Sequence, residues 1–180
     1  MENKIDFKSK NPALELDKNY YMLQRDWNEA GDCRYGLTYS ASIKELADNL
    51  LENIRNFIEL DKSRFSANKD HAYEGEEEWY LEFKKFRNQC GSNAISYETL
   101  KNYSFNTDKY HFRVELLLQG REGLISVLHE IEDIGRIMPG EEDVFRKFLE
   151  DLESGNDYLS RLDTLDTFVE NWFCARCSNR

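Results

Sequence analysis

The chain has 180 residues and a formal net charge of −11, with 33% charged and 13% aromatic side chains. That length suits one domain, 1–180, which buries roughly 70% of its unfolded surface without staples. Eleven Phe, ten Tyr and three Trp exclude an acidic disordered chain, and no apolar run approaches the ~20 residues of a membrane span. The start Met-Glu-Asn-Lys-Ile-Asp-Phe-Lys has no apolar core for a secretory signal. A cytoplasmic protein is expected, with Cys33, Cys90, Cys174 and Cys177 as reduced thiols.

Pro12 and Pro139 are the only prolines, which predicts long uninterrupted elements. Residues 1–12 are expected to be a loose arm. Residues 14–27 mix Leu, Tyr and Met with polar residues and read as a strand. Asn28 to Asp32 reads as a turn, and 33–40 as a second strand with Tyr35, Leu37 and Tyr39 on one side. A hairpin joins the two most simply.

Ser42-Ile43-Lys44-Glu45 is a capping box: the Ser42 hydroxyl can accept from the Glu45 amide while the Glu45 carboxylate reaches back. Behind it Ile43, Leu46, Ala47, Leu50, Leu51, Ile54, Phe57 and Ile58 recur at three and four, which predicts an amphipathic helix ending near Leu60. Residues 61–75 read as a polar loop. Residues 76–89 place Trp79, Phe83 and Phe86 at helical spacing, although 79–83 also fits a strand. Gly91-Ser92-Asn93 breaks the chain, and 95–106 is ambiguous.

Residues 110–118 predict a strand, with His111, Arg113 and Glu115 alternating against Phe112, Val114 and Leu116. Gly120 to Gly123 reads as a turn. Leu124, Val127, Leu128, Ile131 and Ile134 predict a helix stopping at Gly135 or near Pro139. Residues 141–153 predict another, burying Val144, Phe145, Phe148, Leu149 and Leu152. Residues 157–173 predict the last, burying Leu159, Leu162, Leu165, Val169, Trp172 and Phe173. The expected class is α+β: an N-terminal β-hairpin and amphipathic helix, a central antiparallel strand, and a helical C-terminal half. Within the single domain, 13–120 is the mixed part and 121–180 the acidic helical part.

Motifs for chemistry are sparse. Cys174-Ala175-Arg176-Cys177 has C-x-x-C spacing but lacks a second close pair for zinc, and it falls at a predicted helix C-terminus, where the dipole disfavours thiolate. His129-Glu130-Ile131-Glu132-Asp133 lacks the second His of a zinc-protease helix; an i,i+4 pair of His129 with Asp133 is the simpler reading. His71 beside Asp70 has the chemistry of a general base, with no nucleophile frame nearby. No glycine-rich phosphate loop occurs. No cofactor or metal is expected. A small metal-dependent enzyme using His71 or His129 is one alternative function, and a scaffold subunit another.

Charge is the most informative feature. Residues 130–170 hold thirteen acids against four bases, nine negative charges of the chain's eleven. Acidic helix faces ordinarily serve solubility. Here the acids lie opposite the apolar stripes of three consecutive predicted helices, a field that repels nucleic acid and anionic membrane and attracts basic surfaces. Glu130, Asp133, Glu141, Glu142, Asp143, Glu150, Asp151, Glu153 and Asp157 are the expected partner-binding residues. The expected partner is a basic protein, such as a nuclease or another nucleic-acid-binding enzyme. Two settings need such a binder: an immunity protein against a nuclease toxin, and a phage-type inhibitor whose carboxylates stand in for phosphates.

Overall fold

The computed structural model describes residues 19–66, 76–91, 95–133, 135, 137, 139–155, 167–169, 171 and 172. In chain order the elements are β1 (Tyr20–Asn28), β2 (Cys33–Ser40), α1 (Ile43–Ser66), α2 (Glu76–Gly91), α3 (Tyr97–Lys101), β3 (Ser104–Asn106), β4 (Tyr110–Gln119), α4 (Gly120–Asp133) and α5 (Glu142–Ser154). Residues 167–169, 171 and 172 are also helical. The four strands form one sheet in the order β2-β1-β4-β3, and the fold is α+β. Tyr20–Leu117 make one compact unit; Asn19 and the described residues from Leu118 onward belong to a second.

The hairpin forms within the predicted segments, β1 running Tyr20–Asn28 and β2 Cys33–Ser40; residues 14–18 of the first predicted strand and the expected arm 1–12 lie outside the described residues. Leu23 pairs with Leu37 and Trp27 with Cys33 across an antiparallel ladder. The turn closes through Asn28 N–H to Asp32 O at 3.1 Å and Gly31 N–H to Asn28 O at 3.0 Å. Gly31 has φ +86, a conformation that a Cβ disfavours. On the other side of the sheet β3 pairs antiparallel with β4, Phe105 opposite Phe112.

The core of the sheet unit is the predicted stripe of α1 packed on alternate strand residues. Leu46, Leu50, Ile54 and Phe57 lie with Met22 of β1 and Tyr110, Phe112 and Val114 of β4, all buried. Phe57 meets Phe112 edge-on at 5.6 Å, and Phe105 meets Phe112 at 5.2 Å. Each such aromatic contributes on the order of 2–3 kcal/mol by burial. Trp79 and Phe86 of α2 close the same cluster, which settles that segment as helix.

Several expectations need correction. α1 does not end near Leu60 but continues to Ser66. Asp61 falls four residues after Phe57, on the buried side, and its carboxylate accepts from the Tyr110 hydroxyl at 2.7 Å and from Lys109 Nζ at 3.4 Å. A polar residue occupies the next stripe position, so apolar periodicity stops before the helix does. The capping box is only half formed. Ser42 Oγ accepts from the Glu45 amide at 3.2 Å, but the Glu45 carboxylate takes the Ser40 hydroxyl, and Ser40 Oγ accepts from Ser42 N–H at 3.3 Å. The ambiguous 95–106 resolves into α3, capped by Ser96 Oγ on the Thr99 amide, followed by β3.

The expected turn at Gly120 to Gly123 is the start of α4. Gly120 alone reverses the chain, at φ +68. A Cβ on Gly123 would lie 3.2 Å from Leu118 Cβ, so glycine there allows the first turn to approach the strand end. Leu124, Val127, Leu128 and Ile131 are buried as expected; Ile134 lies outside the described residues. In α5, Phe145, Phe148, Leu149 and Leu152 are buried, but Val144 is 50% exposed because those four already complete the stripe. Val169 and Trp172 are buried, and so is Phe168, which meets Phe145 at 5.1 Å and which the spacing argument missed. Leu159, Leu162, Leu165 and Phe173 lie outside the described residues. Among the described residues no helix is long and apolar enough to cross a membrane.

Candidate acidic interface

α4 and α5 bury apolar stripes, which turns their acids outward. Glu130, Asp133, Glu142, Asp143, Glu150 and Glu153 are exposed, while Glu141 and Asp151 are half-buried. Asp157 lies outside the described residues, as do His71, Cys174 and Cys177.

The acids at the two ends of α5 sit in opposite fields. Glu142 and Asp143 occupy the first turn, where the positive pole of the helix favours them. Glu142 also reaches back to accept the Gly140 amide at 2.8 Å, and Asp143 pairs with Arg146 at 3.5 Å. Glu141 is the N-cap residue, yet its side chain makes no capping bond. Its Oε2 is buried without a hydrogen-bond partner among the described residues.

Glu150, Asp151 and Glu153 crowd the other end of α5, with no base in its last turn. α4 repeats the pattern, with Glu130, Glu132 and Asp133 at its C-terminal end and again no base in the last turn. These carboxylates face the negative pole, which opposes them by about 0.3–1 kcal/mol each at exposed sites.

His129 ties the two acidic ends together. Its Nε2 lies 3.1 Å from Glu153 Oε1 of α5, and its Nδ1 lies 3.7 Å from Glu132 Oε2 of its own helix. The expected partner, Asp133, is not the one used: Glu132 at i+3 and Glu153 from α5 take the imidazole instead. Glu132 therefore belongs with the acidic group, although its spacing gave no reason to single it out. Among the described residues no group of three or more His, Cys, Asp and Glu side chains is placed to hold a metal.

A second polar cluster, on the sheet, escaped the sequence reading. The Glu115 side chain is only 6% exposed; its carboxylate holds Arg113 through two bonds of 2.6 Å and lies 3.9 Å from Arg25. The Arg25 guanidinium sits 4.9 Å over Trp27 and 5.6 Å over Tyr35. His111 stacks on Trp27 at 5.1 Å and is half-buried rather than plainly solvent-facing. Alternation marked His111, Arg113 and Glu115 as one strand face, but their mutual pairing depends on β1, which periodicity within β4 cannot reveal. Compared with models of protein families, with curated proteins and with solved structures, the chain matches none.

Proposed function

We propose that the chain is a binding protein that covers a basic surface of a protein partner through the acidic ends of α4 and α5. One observation carries this reading. Glu130, Glu132, Asp133, Glu150, Asp151 and Glu153 stand at the C-terminal ends of two helices that carry no base in their last turns, and His129 links those ends. Solubility alone is served by acids anywhere on the surface. Acids at negative helix poles add to the dipole field and concentrate negative potential at some cost to the helices. That arrangement speeds encounter with a cationic surface and selects against anionic ones.

The partner class that fits best is a nucleic-acid-binding enzyme such as a nuclease, its phosphate-binding groove met by carboxylates. An immunity protein or a phage-type inhibitor is the biological form this reading takes, acting in the cytoplasm without touching nucleic acid itself. The test is affinity capture from the source cell, identification of the captured protein, and association kinetics across salt concentration. Exposed charges are screened beyond ~8 Å at physiological salt. A basic partner whose association rate falls steeply with salt is therefore expected. The slope should flatten when Glu141, Glu142 and Asp143, or Glu150, Asp151 and Glu153, are neutralised. A partner whose binding ignores both salt and these carboxylates overturns the proposal.

A further inference from the structure

The two edges of the sheet are built differently. β3 ends one side and has only three residues, Ser104–Asn106. A short edge offers few free backbone groups, which is one way a sheet discourages pairing with another chain. β2 ends the other side and has eight residues, Cys33–Ser40. Its sequence Cys-Arg-Tyr-Gly-Leu-Thr-Tyr-Ser holds no proline, no lysine and one charge. Its register against β1 runs from Ser40 opposite Tyr20 to Cys33 opposite Trp27 without a bulge. The one charge is drawn onto α1, where the Arg34 guanidinium rests 5.0 Å over the Phe57 ring. Shortness, proline, bulges and edge charges are the common protections of a strand edge, and β2 uses none of them.

Two further features concern what this edge presents. Tyr35, Leu37 and Tyr39 share one face, opposite Arg25, Leu23 and Tyr21 of β1. Leu23 and Tyr21 are buried, whereas Leu37 is half-buried and Tyr39 is 43% exposed. The apolar row thus runs to the rim of the sheet and stops there with a tyrosine in solvent. Gly36 lies within the strand, and the β1–β2 pairing does not require it. Its φ is not positive, and a Cβ there would make only ordinary contact with the Gln24 side chain, at 3.5 Å. Glycine weakens a strand interior and often marks the close approach of another backbone.

We propose that β2 is a dimerisation edge, which pairs antiparallel with β2 of a second copy about a twofold axis at Leu37. A twofold perpendicular to the sheet keeps like faces together, because opposed strand residues point the same way. Leu37 then faces its own counterpart, Tyr35 faces Tyr39 of the partner subunit, and Gly36 faces Thr38 of the partner subunit. Apolar and aromatic cross-strand pairs of this kind are the units that stabilise a sheet. Arg34 falls opposite Ser40 of the partner subunit. The two guanidinium groups are then separated by about 20 Å along the strands, well beyond the ~8 Å screening length. A second copy therefore matches the edge row for row and brings no like charges together. The joined sheet has β3 at both ends, so it closes at two copies instead of growing into a filament. A pairing of eight residues buries less than the ~800 Å² per partner of a standard interface, so the dimer is weak and forms at high concentration. It uses no acid of α4 or α5 and goes beyond the basic-partner reading.

The test is sedimentation equilibrium of the intact protein across concentration and salt, with amide hydrogen exchange at low and high concentration. Each copy carries a net charge of −11, so screening should tighten the dimer as salt rises. Binding of a basic partner by the acidic helix ends responds to salt in the opposite direction, which keeps the two readings apart. The alternate β2 amides that do not bond β1 should exchange about tenfold slower or more at high concentration, while the β3 amides stay unchanged. Tyr39→Lys alters an exposed side chain and removes two aromatic pairs by symmetry, and should weaken the dimer about tenfold. In a Cys33→Ser background, Leu37→Cys should oxidise to a covalent dimer linked through position 37, since directly opposed residues place their Cα atoms about 4.5–5.5 Å apart, within disulfide reach. A chain that stays monomeric at its highest soluble concentration in high salt overturns the proposal. So does a dimer that leaves β2 exchange unchanged or fails to link through position 37. The wild-type exchange decides this even if a variant folds poorly.

Discussion

The sheet unit and the acidic helices treat the same residue type in opposite ways. Within Tyr20–Leu117, Asp26 and Asp61 are buried, and the side chain of Glu115 is almost so. Within α4 and α5 no acidic residue is buried, and the buried side chains are apolar. In the first region a carboxylate is a structural part whose effect depends on its donors. In the second it is a surface charge whose effect depends on its distance from a helix pole. A count of acids along the chain does not separate these roles.

The largest expected effect comes from putting a new charge into each region. Leu50→Asp places an unpaired carboxylate in the centre of the α1 stripe, where Leu50 is fully buried, and should cost roughly 3–5 kcal/mol. Val144→Asp in α5 falls on an exposed side chain and should change stability by less than about 0.5 kcal/mol. Denaturant unfolding of the two variants measures both. Equal losses would erase the contrast, and a Leu50→Asp protein as stable as the parent would show that the stripe faces solvent.

A smaller effect separates the two buried aspartates. Asp61→Ala removes the acceptor of the Tyr110 hydroxyl and the counter-charge of Lys109, and should cost about 2–3 kcal/mol. Asp61→Asn keeps an acceptor for the hydroxyl and should cost less, about 1 kcal/mol. Asp26→Asn should act with the opposite sign at pH 7, because it removes a charge that burial disfavours. Thermal melts at pH 7 read all three. Destabilisation by Asp26→Asn as large as that by Asp61→Ala would mean that the two sites are equivalent.

These sites also mark where sequence reading stops. The α1 stripe, the hairpin and the stripe of α5 were legible because each repeats at the period of its own element: Leu46, Leu50 and Ile54, or Phe145, Phe148 and Leu152. Asp61 was not, because a buried acid breaks the apolar pattern at the point where the helix continues. No pattern in the strand sequence marks Asp26, and its burial beside Gln24 is seen only in the folded sheet. The Arg25–Glu115–Arg113 group draws on two strands 90 residues apart in the chain, and no local period encodes that pairing. For the acidic interface, the sequence supplied the charges and their helical faces. The link through His129 to Glu153 required the packing of α4 on α5. Val144 shows the converse limit: an apolar residue beside a complete stripe looks like core until the stripe is seen to be full.

The smallest expected effect is the one closest to function, and it contrasts the two ends of one helix. Glu142→Gln with Asp143→Asn removes acids from the positive pole of α5, along with the Gly140 and Arg146 contacts, and should lower stability by roughly 0.5–1 kcal/mol. Asp133→Asn and Glu150→Gln remove acids from the negative poles of α4 and α5, and should be neutral or stabilising by up to about 0.5 kcal/mol each. Thermal melts at low ionic strength resolve differences of that size, and added salt should shrink them. If the second pair is destabilising instead, those carboxylates are structural and the case for an interface weakens. If it is stabilising, the acids at the helix C-termini are kept at a cost to the fold that a solubilising role does not explain. Slower association of the same variants with a basic partner would then connect that cost to binding.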